Sequence, residues 1–291
     1  MNLGEYYISD QITLQPAQKV EIDASRAGQR LDNYLFARFR QLPKSRIYKM
    51  LRKGEVRVNG GRSKQSYRIQ SGDIIRLPPV RLDGQAQEGP VKASLAQQDK
   101  IARSIIHEDD DFLVLCKPSG LAVHAGSGLR FGVIEILRQI RPDAPFLELV
   151  HRLDRDTSGC LLIAKHRTAL TTVNDILKTG KMTKYYQALV AGQWQGGKRR
   201  VDQALARQGA HRQIRHTVAD DAGKQAVSEF TPLHRFADAT LMKIRIFTGR
   251  THQIRVHAAG MGHPLIGDKK YGDFELNRRW EKQHGLKRLF L

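Results

Sequence analysis

At 291 residues the chain has room for about two domains of roughly 150 residues each, and its 40% hydrophobic content is enough to bury a core without staples. Lys and Arg number 49 against 29 Asp and Glu, a formal net charge of +20 that points to a polyanionic partner. The longest uninterrupted apolar runs, such as FLVLC and CLLIA, have five residues where a membrane span needs about 20. The opening MNLGEYYISD has neither the cationic start nor the apolar stretch of a secretory signal. The expectation is therefore a cytoplasmic protein away from membranes. Its two cysteines, Cys116 and Cys160, make neither a disulfide framework nor a metal knuckle, and are expected as buried thiols packed in strands.

The charge is uneven. Residues 26–81 carry 15 Lys and Arg against 3 Asp and Glu, a net of +12 that leaves +8 for all other positions. Residues 1–24 read as an N-terminal extension, and residues 25–81 as a basic module. Within it, RLDNYLFARF sets Leu31, Leu35 and Phe39 at helical spacing, and SRIYKMLRKG after Pro43 does the same for Ile47 and Leu51, with Ser45 expected as the cap. The opposite face carries Arg38, Arg40, Lys44, Arg46, Lys49, Arg52 and Lys53. Such a stripe neutralises phosphates and releases counterions, so nucleic acid is the polyanion it fits. EVRVNGG and RIQSGDIIRL follow as short strands punctuated by Asn59-Gly60 and Ser71-Gly72-Asp73 turns. A helix pair followed by this hairpin, with VRVNG and SGDIIRL in that order, resembles the S4 RNA-binding domain.

Residues 82–104 are polar and without periodicity, and read as a linker. From Ile105 to Leu291, strand-like runs (DFLVLCKPSG, CLLIAK, YYQALVAG, ATLMKIRIF) are interspersed with helix-like ones (GVIEILRQIR, ALTTVNDILK, THQIRVHAAG). Without strict alternation of strand and helix, an α+β domain with a mixed, mainly antiparallel sheet is expected.

Three clusters could carry chemistry: KPSGLAVH at 117–124, HRLDRDTSG at 151–159 and TGRTHQIRVH at 248–257. Each also has a plain structural reading. Asp154 and Asp156 could cap or salt-bridge in a surface turn closed by Gly159, Lys117 could sit in an ordinary turn, and Arg250, His252 and Arg255 could decorate a solvated helix starting at Thr251. His252 and His257 are five apart, off the spacing that puts two metal ligands on one helix face, and no phosphate-binding glycine loop is present.

Taken in order, KPSGLAVH, HRLDRDTSG, MTKYYQALV, TGRTHQIRVH and GHPLIGDKKYGD resemble the RluA-type pseudouridine synthases over residues 25–291. With an S4 module in front, the likeness is to the branch acting on 23S ribosomal RNA. The resemblance implies isomerisation of uridine, with no metal or organic cofactor. It makes Asp154 the catalytic carboxylate, Arg255 the cation that keeps it ionised, and Tyr186 the ring against the base. Arg152 would enter the stack that the flipped base leaves, and Arg155 would touch phosphate. Arg250 and His252, with Arg46, Lys49, Arg52 and Lys53 of the basic module, complete the expected RNA contacts. The family pattern continues past its RLFL block, whereas this chain stops at Leu291. The insert at 195–216 departs from the pattern and reads as a mobile, RNA-facing loop. No long apolar seam suggests a dimer, so a monomer is expected. The rival reading is a non-catalytic RNA-binding or ribosome-assembly factor.

Overall fold

The computed structural model describes residues 13–39, 42–82, 92–125, 131–208 and 216–291. The chain divides into two compact units, Met1–Val91 and Lys92–Leu291. In the first, strands β1 (Thr13–Gln15) and β2 (Gln18–Glu21) precede helices α1 (Leu31–Arg38) and α2 (Lys44–Lys53), and strands β3 (Arg57–Val58), β4 (Ile74–Leu77) and β5 (Val80–Leu82) follow. β4 lies between β2 and β3, and β1 pairs with β5. The expected N-terminal extension is thus corrected, because residues 13–15 and 18–21 are strands of this unit, with Val20 paired to Ile75.

The apolar positions of both helices are buried: Leu31, Leu35 and Phe39 from the first, Ile47, Met50 and Leu51 from the second. Pro43, whose fixed φ suits a helix entrance, stands in the N-cap position of α2 with no side-chain cap; Ser45 is already inside the helix, which corrects the expected cap. Asn59 and Gly60, at φ 51° and 80°, form the tight turn after β3. On α2, Lys49, Arg52 and Lys53 are exposed, while Arg46 is paired with Glu55 at 3.1 Å. Arg40 lies outside the described residues.

The second unit runs α3 (Leu95–Ala102), β6 (Ile105–Glu108), β7 (Phe112–Lys117), α4 (Val133–Ile140), β8 (Glu148–Leu149), β9 (Gly159–Ala164), α5 (Arg167–Lys178), β10 (Lys184–Ala191), β11 (Arg199–Asp202), β12 (Leu205–Gln208), β13 (His216–Ala219), β14 (Val227–Arg235), β15 (Ala239–Ile246), α6 (Gln253–Gly260) and α7 (Phe274–His284). It builds two four-stranded sheets, ordered β6-β7-β9-β8 and β10-β15-β14-β11, beside a β12-β13 hairpin. Every strand ladder among the described residues is antiparallel.

Strand alternation explains the layers. Leu113, Leu115, Leu161 and Ile163 face α3 and α4 through Ile101, Ile134 and Leu137, while Phe112, Leu162 and Ala164 face α5. In the second sheet, Ala188, Val190, Phe230, Met242 and Ile244 pack on Ile254 and Ala258 of α6, and Leu189 and Leu241 on Leu276 and Trp280 of α7. Tyr186 touches the cores of both sheets, so the start of β10 lies at their junction.

Three further expectations change. The linker at 82–104 is cut short, because Leu95–Ala102 is a helix whose Ser94 and Gln97 form a reciprocal capping box. The insert at 195–216 is strand through much of its length, β11 pairing with β14 and β12 with β13; residues 209–215 lie outside the described set. Both cysteines are in strands, as expected, but exposed. Among the described residues no helix is long and apolar enough to cross a membrane.

Candidate active site

The loop from His151 to Ser158, between β8 and β9, is held from below by the KPSG turn. Lys117 is fully buried, and its Nζ donates to the carbonyls of Pro118 (2.9 Å), Leu121 (2.7 Å) and Arg155 (2.9 Å). Gly120 N–H also donates to Arg155 O, and Ser119 Oγ to Asp156 O. Burial pushes the Lys117 ammonium down to about 8, against the pull of Asp156 and Asp154. At neutral pH it is still charged, and its three protons meet three acceptors. The turn is therefore the loop's anchor, a role that its sequence did not reveal.

Above this anchor an open cavity of about 580 Å³, counted out to solvent, is lined by Arg152, Leu153, Asp154, Thr157, Tyr186, Arg250, His252, Arg255 and neighbours. Asp154, Tyr186 and Arg255 thus line one cavity, drawn from the loop, from β10 and from α6. The Asp154 side chain is 21% exposed. Burial, and then the charge of Asp154, raise the Tyr186 pKa, so the phenol keeps its proton. Arg152 is exposed at the rim, and Arg155 is paired with Asp156 at 3.2 Å. Arg250 donates from Nε to Gln225 O.

Arg255 differs from expectation. Its Nε and Nη2 each donate at 2.7 Å to Asp268, a bidentate ion pair with side chains 5% and 0% exposed. Burial opposes both charges, but the pairing outweighs it, raising the Arg255 pKa and lowering that of Asp268. Backbone N–H groups of Lys270 and Tyr271 also donate to Asp268. The direct Arg255–Asp154 ion pair expected from the sequence is thus replaced by an attraction across the cavity, because a better-placed carboxylate takes the guanidinium fork.

His252 caps α6 with φ 56°, a left-handed backbone uncommon outside glycine. This aims its ring between Tyr271, 2.8 Å from Nδ1, and Asp154, 3.9 Å from Nε2. The helix it begins is not a solvated one: Gln253, Ile254, Arg255, Val256, His257 and Ala258 are all buried. Gln253 fixes the helix start by donating to Val227 O and Ser228 Oγ.

Burial drives His252 down to about 4, with Asp154 opposing and Arg255 adding to the shift, and lowers His151 and His257 as well. A histidine with a depressed folded pKa lets the unfolded chain bind protons first as pH falls. Stability is then full above about 6.5 and declines towards 4. From His252 alone, unfolding free energy should be about 2 kcal/mol lower at pH 5 than at pH 7.5. Urea titrations at both pH values should show this, with a smaller difference in His252→Gln.

Comparison with known proteins bears on this geometry. Residues 111–260 match the family model described as RNA pseudouridylate synthase, and residues 29–75 match the S4 domain. The chain is 48% identical over 282 residues to ribosomal large subunit pseudouridine synthase C of Pasteurella multocida (strain Pm70), covering 97% of this chain and 86% of that protein. It is 50% identical over 273 residues to the protein of the same name from Escherichia coli (strain K12), covering 94% and 85%. Among solved structures, human RNA pseudouridylate synthase domain containing 1 superposes with a TM-score of 0.54 at 26% identity, over 64% of this chain and 74% of that one.

Proposed function

The chain belongs to the RNA pseudouridylate synthase family, and from that premise we propose that it isomerises uridine to pseudouridine in 23S ribosomal RNA, with Asp154 as the catalytic carboxylate. The observation that carries this reading is that Asp154 is the one side-chain carboxylate among the described residues lining a cavity that also holds an aromatic ring and a buried guanidinium. In the reaction the N1–C1′ bond breaks, the uracil turns, C5 joins C1′, and the hydrogen on C5 leaves as a proton while N1 gains one. An ionised Asp154 acts on the ribose or base as nucleophile or as base. Tyr186 stacks against the uracil, and Arg255, steadied by Asp268, supplies positive potential.

A hydrolase acting on the same bond needs a second carboxylate to place water. Asp156, the nearest candidate in sequence, lines an adjoining cavity together with Asp154, but it is tied to Arg155 and is absent from the cavity that holds Tyr186. Isomerisation requires instead that water be kept from the detached base. The target base must leave its stack, at a cost of a few kcal/mol. Arg152, exposed at the rim, fills the gap with its planar guanidinium. Arg155, Arg250 and His252 contact the RNA backbone near the target, His252 as a neutral hydrogen-bonding ring. Arg46, Lys49, Arg52 and Lys53 bind phosphates from the S4 module. The chemistry uses side chains alone, without a cofactor. The protein acts as a single copy, and the setting is the cytoplasm.

Mapping pseudouridines in ribosomal RNA from cells lacking the gene tests this directly. One or more 23S sites should revert to uridine and be restored by the wild-type protein added to the unmodified RNA. If every site stays modified, the non-catalytic RNA-binding reading replaces this one.

A further inference from the structure

The two cysteines of the chain are 44 residues apart in sequence, yet they face each other across the β7–β9 ladder, Cys116 opposite Cys160. Their backbone setting is defined by two hydrogen bonds. Cys116 N–H donates to Ser104 O, on the side away from β9. On β9, Leu162 O accepts from Val150 N–H, so it too points away from β7. In an antiparallel ladder this alternates with period two, and it makes both Val114–Leu162 and Cys116–Cys160 non-hydrogen-bonded pairs. Such pairs bring Cα atoms to about 4.5 Å with side chains close together, inside the roughly 4.4–6.8 Å range over which a disulfide can form. Leu115, Lys117 and Leu161 point into the core, which leaves both thiols on the other face, exposed.

We propose that Cys116 and Cys160 are a reversible modification site, a dithiol that closes to a disulfide by exchange with a small disulfide of the glutathione class. One cysteine thiolate attacks a sulfur of oxidised glutathione and expels one glutathione thiolate. The second cysteine thiolate then attacks the mixed disulfide and expels the other. The balance is one protein dithiol and one oxidised glutathione to one protein disulfide and two reduced glutathiones. Because both thiols are exposed, the bond is of the labile kind that a reducing cytoplasm reopens.

The site sits at the root of the loop that carries Asp154. Cys116 adjoins Lys117, which holds the loop by Arg155 O, and Cys160 follows Gly159, where the loop enters β9 and pairs with Lys117. Disulfides favour Cα atoms about 5.5–6 Å apart, so closing the bond shifts the two strands at the root of the loop and with them the anchor, and oxidation lowers turnover.

The test uses the full chain, reduced and then equilibrated against a series of reduced-to-oxidised glutathione ratios and quenched by alkylation. In oxidised buffer both thiols should become protected together, with no glutathione retained and a peptide linked through Cys116 and Cys160. Cys116→Ser and Cys160→Ser should each retain one glutathione instead. Pseudouridine formation should fall several-fold on oxidation, recover on reduction, and stay constant in Cys160→Ser. Two free thiols, or two separate glutathione adducts, overturn the site, and a disulfide with unchanged turnover overturns its coupling to the loop. The thiol readout needs no RNA. Absence of pseudouridine from the reduced protein would therefore count against the proposed function and leave the dithiol result standing.

Discussion

Asp154→Asn should leave the fold and RNA affinity intact and reduce pseudouridine formation by about 10⁴-fold or more, the scale seen when a group that reacts directly is removed. Asparagine matches aspartate in size, and the loop's anchoring bonds are to backbone carbonyls of Pro118, Leu121, Arg155 and Asp156, none of which involve the 154 side chain. The change deletes only the ionisable oxygen facing the cavity. Release of the C5 hydrogen from labelled uridine in a ribosomal RNA fragment measures the reaction, and filter binding measures the affinity. A variant that turns over at the wild-type rate removes Asp154 from the mechanism. One that has lost RNA affinity to the same degree makes it a binding residue.

Asp268→Ala should destabilise the second unit by about 3–5 kcal/mol, because it strands the guanidinium of Arg255 in a buried position. The same change takes an acceptor from the N–H groups of Lys270 and Tyr271. Pairing it with Arg255→Met should recover most of that loss, since two apolar groups replace a charge pair, while turnover stays low. Urea unfolding of the two single variants and the double variant supplies the cycle. If the double variant is as unstable as Asp268→Ala alone, the ion pair is not what Asp268 contributes.

The helices of the basic module were legible because their apolar spacing needed only local reading, and so were the strands, whose apolar runs are short and bounded by turn residues. Two of the blocks that line the cavity, HRLDRDTSG and TGRTHQIRVH, were also visible as clusters of polar residues, whereas Tyr186 on β10 came only from the family resemblance. What stayed hidden depends on register and long-range choice. Nothing local says that Arg255 prefers Asp268 to Asp154, since several carboxylates compete and only the turn after α6 presents both oxygens to the fork. The cysteines read as buried because strand residues often are, but burial depends on which face they take. One signal was available and passed over: Ser94 and Gln97 have the spacing of a capping box, hidden by a helix that buries only Ile101.

The buried ammonium at 117 gathers carbonyls from stretches 38 residues apart. A neutral replacement there would mimic damage to the reaction centre in any survey scored by lost modification, although the side chain meets neither substrate nor solvent. Ranking positions by phenotype would enrol it among the reactants. Only the split between turnover and affinity would reveal a truss.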